Sequence, residues 1–412
     1  MHLTNVLIPT CVRGFDLDAE RFDVDMQNGT VAQISRAQIA PYSVASGTLL
    51  PCLVDAHVHI DKTYVVDEVG AADGDLFKAI TLMGQHRASW TTLDITMRMQ
   101  RAVSDAYRHG TRALRTHLDW FEPAAPKSLA AFEAVRGHWR GKVALQCVSL
   151  TPLDVFDGTS EGNLLAQRIA AELARVDQSA DKSQGEAALM GAFVYRNADM
   201  PAKLQRVFEV AAQHGLHLDF HVDEGLDIDA TGLRLIAELT LANQYQGKVT
   251  CGHCCSLSVQ PRAEAEATLK LCFEAGVSLI ALPTTNLYLQ GAWDSTPVER
   301  GITRLNEAAA HGMQASIATD NVADSFFPYG SYDLLATYAL GVQVAHLSPA
   351  TDALATVTTH PARAMRLPWN GLIQVGCPAD LVLLAATTPY ELLSAAGQRR
   401  QVIRAGEMLA AG

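Results

Sequence analysis

His57 and His59 flank a single valine in the stretch "DAHVHID", directly after the run Leu49-Leu50-Pro51-Cys52-Leu53-Val54. If that run is a β-strand, alternation of side chains puts both imidazoles on one face. Two imidazoles so placed either share a metal ion or are simply two partly buried, hydrogen-bonded histidines, and further ligands decide between these. Three other apolar runs end in polar groups: "FHVDE" with His221 and Glu224, "CGHCC" with His253, and "ATDN" with Asp320. One such residue after a strand is ordinarily a hydrogen-bonded loop residue; four sets at the ends of strands in one sheet are a site. His57, His59, His221 and the Asp320 carboxylate form a nitrogen- and oxygen-rich set suited to one Zn(II) or Fe(II), with a position left for water. A bound divalent cation brings the pKa of that water to roughly 7. Glu224, three residues beyond His221, is placed to act as a non-ligating acid/base, and His253 to hydrogen-bond the attacking water. The alternatives are a surface salt bridge for Glu224 and a packed thiol-rich loop for His253.

These groups need a scaffold that gathers strand ends. Eight β-rich runs alternate with helical stretches: Leu49–Asp61, Thr111–Trp120, Lys142–Leu150, Ala188–Tyr195, Leu216–Glu224, Lys248–Cys255, Val277–Thr285 and Gln314–Asn321. Eight βα alternations predict a closed (β/α)8 barrel of the TIM type, whose reactive groups collect at the C-terminal ends of its strands. Between runs, "MPAKLQRVFEVAAQHG" keeps Leu204, Val207, Phe208 and Ala211 at helical spacing, with Gly215 placed to close the helix. The polar segment Val176–Ala187 reads as an exposed loop. Both termini carry strand and turn patterns, including "GLIQVGCPADLVLL" and "RRQVIRAGEMLAAG". Neither end has enough strands for a core of its own, so residues 1–48 and 369–412 are expected to pair into one small β-domain, with 49–368 as the barrel.

Composition narrows the partners. The 412 residues carry 32 basic and 44 acidic side chains, a formal charge of -12. That balance repels phosphate backbones and anionic lipid surfaces, so neither nucleic acid nor membrane is an expected partner. No apolar segment has the length of a membrane span and the N-terminus lacks a leader pattern, which points to the cytoplasm. The eight cysteines are scattered, as expected for reduced thiols, and Cys251, Cys254 and Cys255 lack the second ligand pair of a structural zinc site.

The stretches "LLPCLVDAHVHIDKT", "RTHLDW", "FHVDEGLD", "GHCCS", "LYLQG", "RGITRLNEAAAHG" and "TDNVADSFFPYGSYDLL" together resemble the cytosine deaminase branch of the metal-dependent amidohydrolase superfamily, over about Leu49 to Gly376. The resemblance implies one Fe(II) or Zn(II) per chain on His57, His59, His221 and Asp320, an acid/base at Glu224, and a water-orienting histidine at His253. Lys62 reads as a loop residue near the site entrance rather than a bridge between two metals. Two departures bear on substrate. Asn321 stands where cytosine deaminases carry a second aspartate, and Pro152 falls near the place of their pyrimidine-binding glutamine. Phe326 replaces an aromatic wall tryptophan. The Ser-Asp-Asn of isopropylammelide amidohydrolases is another point of likeness, although those proteins lack the His-x-x-Glu pattern. The expected activity is hydrolytic deamination of a small, flat nitrogen heterocycle with release of ammonia. Hydrolysis of a cyclic amide or an N-alkylamino triazine is the alternative at the same site, and a catalytically silent barrel in a binding or assembly role is the alternative outside enzymes. Asn321, uncharged, is expected to suit a ring presenting a carbonyl or bare nitrogen, which disfavours cytosine. A homo-oligomer is compatible with the family and is not legible in the chain.

Overall fold

The computed structural model describes residues 1–38, 43–121, 124–291, 293, 295–349, 353–395 and 399–410. The chain opens with β1 (His2–Leu7), β2 (Phe22–Gln27), β3 (Thr30–Arg36) and β4 (Gly47–Pro51). The barrel strands follow: β5 (Leu53–Val58), β6 (Thr111–Asp119), β7 (Ala144–Pro152), β8 (Ala187–Val194), β9 (Leu218–Val222), β10 (Val249–His253), β11 (Ser278–Ala281) and β12 (Ser316–Ile317). It closes with β13 (Leu381–Leu384), β14 (Arg400–Arg404) and β15 (Glu407–Met408).

β5 to β12 form one eight-stranded sheet in sequence order, every pair parallel. Parallel neighbours need crossovers, and helices such as Thr92–Arg108, Ser160–Gln178 and Met200–His214 supply them. The last of these buries Leu204, Val207, Phe208 and Ala211 and is closed by Gly215 in the left-handed region, φ 68°, as its spacing predicts. β12 and β5 meet through one parallel bridge, Val58 to Asp320, which brings the two edges of the sheet together.

A second sheet of seven strands, in the order β15-β14-β13-β4-β1-β2-β3, draws on both ends of the chain. The expected pairing of the termini is therefore present; the last two residues of "RRQVIRAGEMLAAG" lie outside the described residues. The first expected strand, Leu49–Asp61, is two strands. Leu49, Leu50 and Pro51 pair with Leu383, Val382 and Leu381 in the terminal sheet, and only from Leu53 does the chain join the barrel. Both halves are buried and apolar, so no change of pattern marks the crossing. β9 to β12 are all shorter than expected, β11 and β12 most of all. β11 stops at Ala281 because Pro283 starts a helix, and β12 has two residues because the backbone turns at Asp320. The Val176–Ala187 loop is shorter too: the preceding helix runs to Gln178, and Glu186 is buried against Arg140, 2.8 Å away. Among the described residues no helix is long and apolar enough to cross a membrane.

Candidate metal centre and active site

Inward-facing residues at the C-terminal ends of β5, β9 and β10, with Asp320 just beyond β12, converge in one place. His57 Nε2 lies 3.2 Å from His221 Nε2, and His59 Nε2 lies 3.1 Å from it. Asp320 Oδ1 is 3.2 Å from His59 Nε2 and 3.6 Å from His57 Nε2. For ligands about 2.0–2.1 Å from a tetrahedral ion, neighbouring donor atoms stand about 3.3 Å apart, and these spacings bracket that value. Among the described residues, neither buried Asp320 oxygen has a hydrogen-bond partner. A carboxylate sealed in that way beside three imidazole nitrogens needs a cation. The donor set therefore fits one divalent metal.

Local chemistry supports ligation. Burial holds His57 and His221 well below the ordinary histidine pKa, with neighbouring histidines adding to the effect, so both rings are neutral and their lone pairs free. Burial pushes the Asp320 carboxyl up, but His253 and His59 outweigh it and the group stays below its usual range. The backbone has left-handed φ at Asp223 (49°), His253 (68°), Cys254 (52°) and Asp320 (65°), each at or just beyond a strand end. Such conformations cost about 1–3 kcal/mol each; they accompany the inward placement of His253 and Asp320, while the Asp223 carboxylate instead accepts from the Gly232 and Leu233 N–H groups at the start of the next helix. Gly252 lets His57 in: a Cβ there would sit 2.8 Å from the His57 ring.

Above these candidate ligands, Glu224 and His253 face each other, Glu224 Oε1 lying 3.4 Å from His253 Nδ1. Burial raises the Glu224 carboxyl well above the carboxylate range; Asp320 adds to this and Lys62 opposes it. Asn286 Oδ1, 3.1 Å from His253 Nδ1, holds that ring and leaves Nε2 without a protein partner among the described residues. A cavity of about 320 Å³ opens from this end. Glu224, His253 and Asn321 line its inner part with His59 and His221; Pro152, Phe326, Phe77, Phe121 and Phe193 give the remaining wall much apolar surface, and Lys62, Arg87 and Asp119 a charged strip. All the residues singled out from the sequence are thus in one cluster, except that His57 and Asp320 lie beneath the cavity floor.

Lys62 lies in the loop after β5 and lines the cavity, as expected, but it is buried and ion-paired rather than free at the entrance. It is 3% exposed, and its Nζ donates to Asp119 Oδ1 at 2.9 Å. Arg87 holds the other Asp119 oxygen at 2.5 Å, so two cations in the cavity wall rest on one carboxylate. Burial alone would raise Asp119, but Lys62 and Arg87 outweigh it and hold it well below its usual range. Sequence reasoning also missed His117, stacked on His57 with ring centroids 3.9 Å apart. His117 and Asp119 sit in "RTHLDW", and the alternation of β6 puts both on the face of the strand that carries Arg115 inward; that was the available signal. Cys251, Cys254 and Cys255 are free and buried, and none joins a metal-compatible cluster among the described residues.

Comparison with known proteins agrees with this architecture. The amidohydrolase family model matches residues 179–410. A pterin deaminase of Rhizobium rhizogenes is 37% identical over 395 residues, covering 94% of this chain and 87% of the relative. A 5-methylcytosine deaminase from Klebsiella pneumoniae, solved with 5-fluorocytosine, superposes with a TM-score of 0.84 at 26% identity, over 100% of this chain and 98% of that one. An N-isopropylammelide isopropylaminohydrolase from Burkholderia multivorans gives a TM-score of 0.76, also at 26% identity, over 99% and 98% of the two chains. With the family model covering more than half its length, this chain belongs to the amidohydrolase family.

Proposed function

We propose that the protein is a divalent-metal-dependent deaminase that hydrolyses the amino group from a flat nitrogen heterocycle, and that the ring is of the fused pteridine type. The observation that carries the reading is the cavity with two unlike ends. Its inner end is lined by His59, His221, Glu224 and His253, with His57 and Asp320 just beneath, and burial raises the Glu224 carboxyl well above the carboxylate range; the rest of its roughly 320 Å³ is lined in large part by Phe77, Phe121, Phe193, Pro152 and Phe326. The relative at 37% identity is named for pterin deamination, which agrees with a two-ring occupant.

His57, His59, His221 and Asp320 would hold one Zn(II) or Fe(II), which supplies an activated water at neutral pH. The remaining chemistry belongs to side chains. Glu224, within reach of both His253 and the cavity, would take one proton of the attacking water to the ring nitrogen beside the reacting carbon and then the water's second proton to the departing amine, so that water supplies the oxygen and both hydrogens and ammonia leaves. His253, fixed by Asn286, orients the water against that carbon. Phe326, with Lys62 Nζ 4.6 Å from its ring centroid, and Pro152 form flat walls against the heterocycle faces and exclude water.

The test is ammonia release across pterins, aminopyrimidines and aminotriazines by metal-loaded protein, with the ring-containing product identified by mass. Pterin deamination without ring opening is the expected result. Release of an alkylamine from an N-alkylamino triazine, with no ammonia from any ring, would favour the other activity.

A further inference from the structure

Asn321 lies in the cavity wall with His221, Glu224 and His253 and is 3% exposed. Its amide is not free to turn. Nδ2 donates to Asp324 Oδ2 at 2.6 Å, while Asp324 Oδ1 accepts the backbone N–H groups of Phe326 at 2.8 Å and Phe327 at 3.0 Å. Both carboxylate oxygens are therefore acceptors in use. Burial raises the Asp324 carboxyl to about 7, against Lys62, the Asn321 amide and the two backbone N–H donors; in its ionised form, turning the Asn321 amide over would set its Oδ1 against Asp324 Oδ2, acceptor against acceptor, in a fully buried place. No described residue donates to Asn321 Oδ1, and that oxygen is not among the buried polar atoms sealed away without a partner, so it opens on the cavity.

From this geometry we infer that Asp324 fixes the hydrogen-bonding polarity of the substrate edge: Asn321 presents a locked acceptor, and the preferred ring carries an N–H donor opposite it. The inference rests on the proposed function, because it names the ring edge of that same reaction. It also reverses the sequence expectation that Asn321 suits a carbonyl or bare ring nitrogen, since a free asparagine offers either polarity and one held by Asp324 offers only its oxygen. Asp324 is a positioning residue here. The same carboxylate fixes the backbone of Phe326, so one side chain aligns an edge contact and a face contact.

Pterin and its N3-methyl derivative form the test pair, because methylation removes the N–H adjoining the amine-bearing carbon. Losing one buried hydrogen bond is worth about 10- to 100-fold in kcat/KM. Wild type is expected to prefer pterin by at least that factor. In Asp324→Asn the new amide allows Asn321 to turn, and the preference should shrink about tenfold or more with metal content unchanged. Asn321→Leu removes the acceptor outright and should shrink it likewise, which keeps the test open if Asp324→Asn is poorly folded. An unaltered preference in metal-replete, folded variants would overturn the inference while leaving the proposed function standing. If wild type deaminates no ring, the proposed function fails instead, and the inference is then judged on dissociation constants for the same pair, read by pterin fluorescence: equal affinities overturn it, a pterin preference lost in the variants upholds it.

Discussion

The backbone N–H of Asp320 donates to the carbonyl oxygen of His57 at 2.9 Å, so two proposed metal ligands from opposite edges of the sheet are joined through the main chain. One residue earlier, the Thr319 N–H donates to Asp55 Oδ1 at 3.0 Å. The closure of the barrel and the assembly of the ligand set are thus one structural event.

Asp55→Ala should therefore weaken both. It leaves the Thr319 N–H unpaired in the core, at a cost of about 1–3 kcal/mol, and it loosens the register between the first and last strands. Urea unfolding should show the lower stability and chelator competition a lower metal affinity. Unchanged metal affinity in the variant would separate barrel closure from ligand placement.

Glu224→Gln keeps size and polarity and removes proton transfer, a contribution of about 10² to 10⁴ in rate. Metal content should stay at the wild-type level, because Glu224 is outside the proposed ligand set. Near-normal turnover on the best substrate would remove Glu224 from the mechanism.

The proposed ligand set could be assembled from the sequence because each of its members ends an apolar run, and only a strand end in a parallel barrel gives that pattern a common destination. The packing around it was not. Lys62 and Arg87 reach Asp119 across 57 and 32 residues of chain, and nothing in local sequence marks such partners. The division at Cys52 was hidden for a different reason: strands in two different sheets follow one another with no polar residue between them. Asn321 was found, but its polarity depends on Asp324, whose pairing only the folded turn reveals.

At the opposite end of the barrel, His217 provides a pH signal far from the proposed metal site. Burial, with Arg366, Arg115 and Lys248 nearby, lowers its pKa from 6.5 to about 4. Between those values the unfolded chain binds the proton and the folded chain does not, so stability falls as pH drops from about 6.5 towards 4 and levels off below. Allowing for its partial exposure, the loss is about 1–2 kcal/mol. His217→Gln should flatten that part of the stability profile in denaturant titrations; an identical slope in wild type and variant would contradict the assignment.

Cytosine should be a poor substrate. One ring leaves the apolar outer wall of the cavity unfilled, and Pro152 offers no side-chain hydrogen bond to its edge. The expected kcat/KM lies below about 10⁵ M⁻¹s⁻¹, under the range of a good substrate. A higher value would show that neither the cavity shape nor Pro152 discriminates.

The most direct test of the whole account is ammonia release by one preparation before metal removal, after chelation, and after restoration of one equivalent of Zn(II) or Fe(II), with circular dichroism recorded at each stage. The account predicts one ammonia per ring product in the first and third states, none in the second, and barrel secondary structure throughout, since the proposed ligands cap the barrel rather than build its core. Full turnover by the metal-free protein would contradict it.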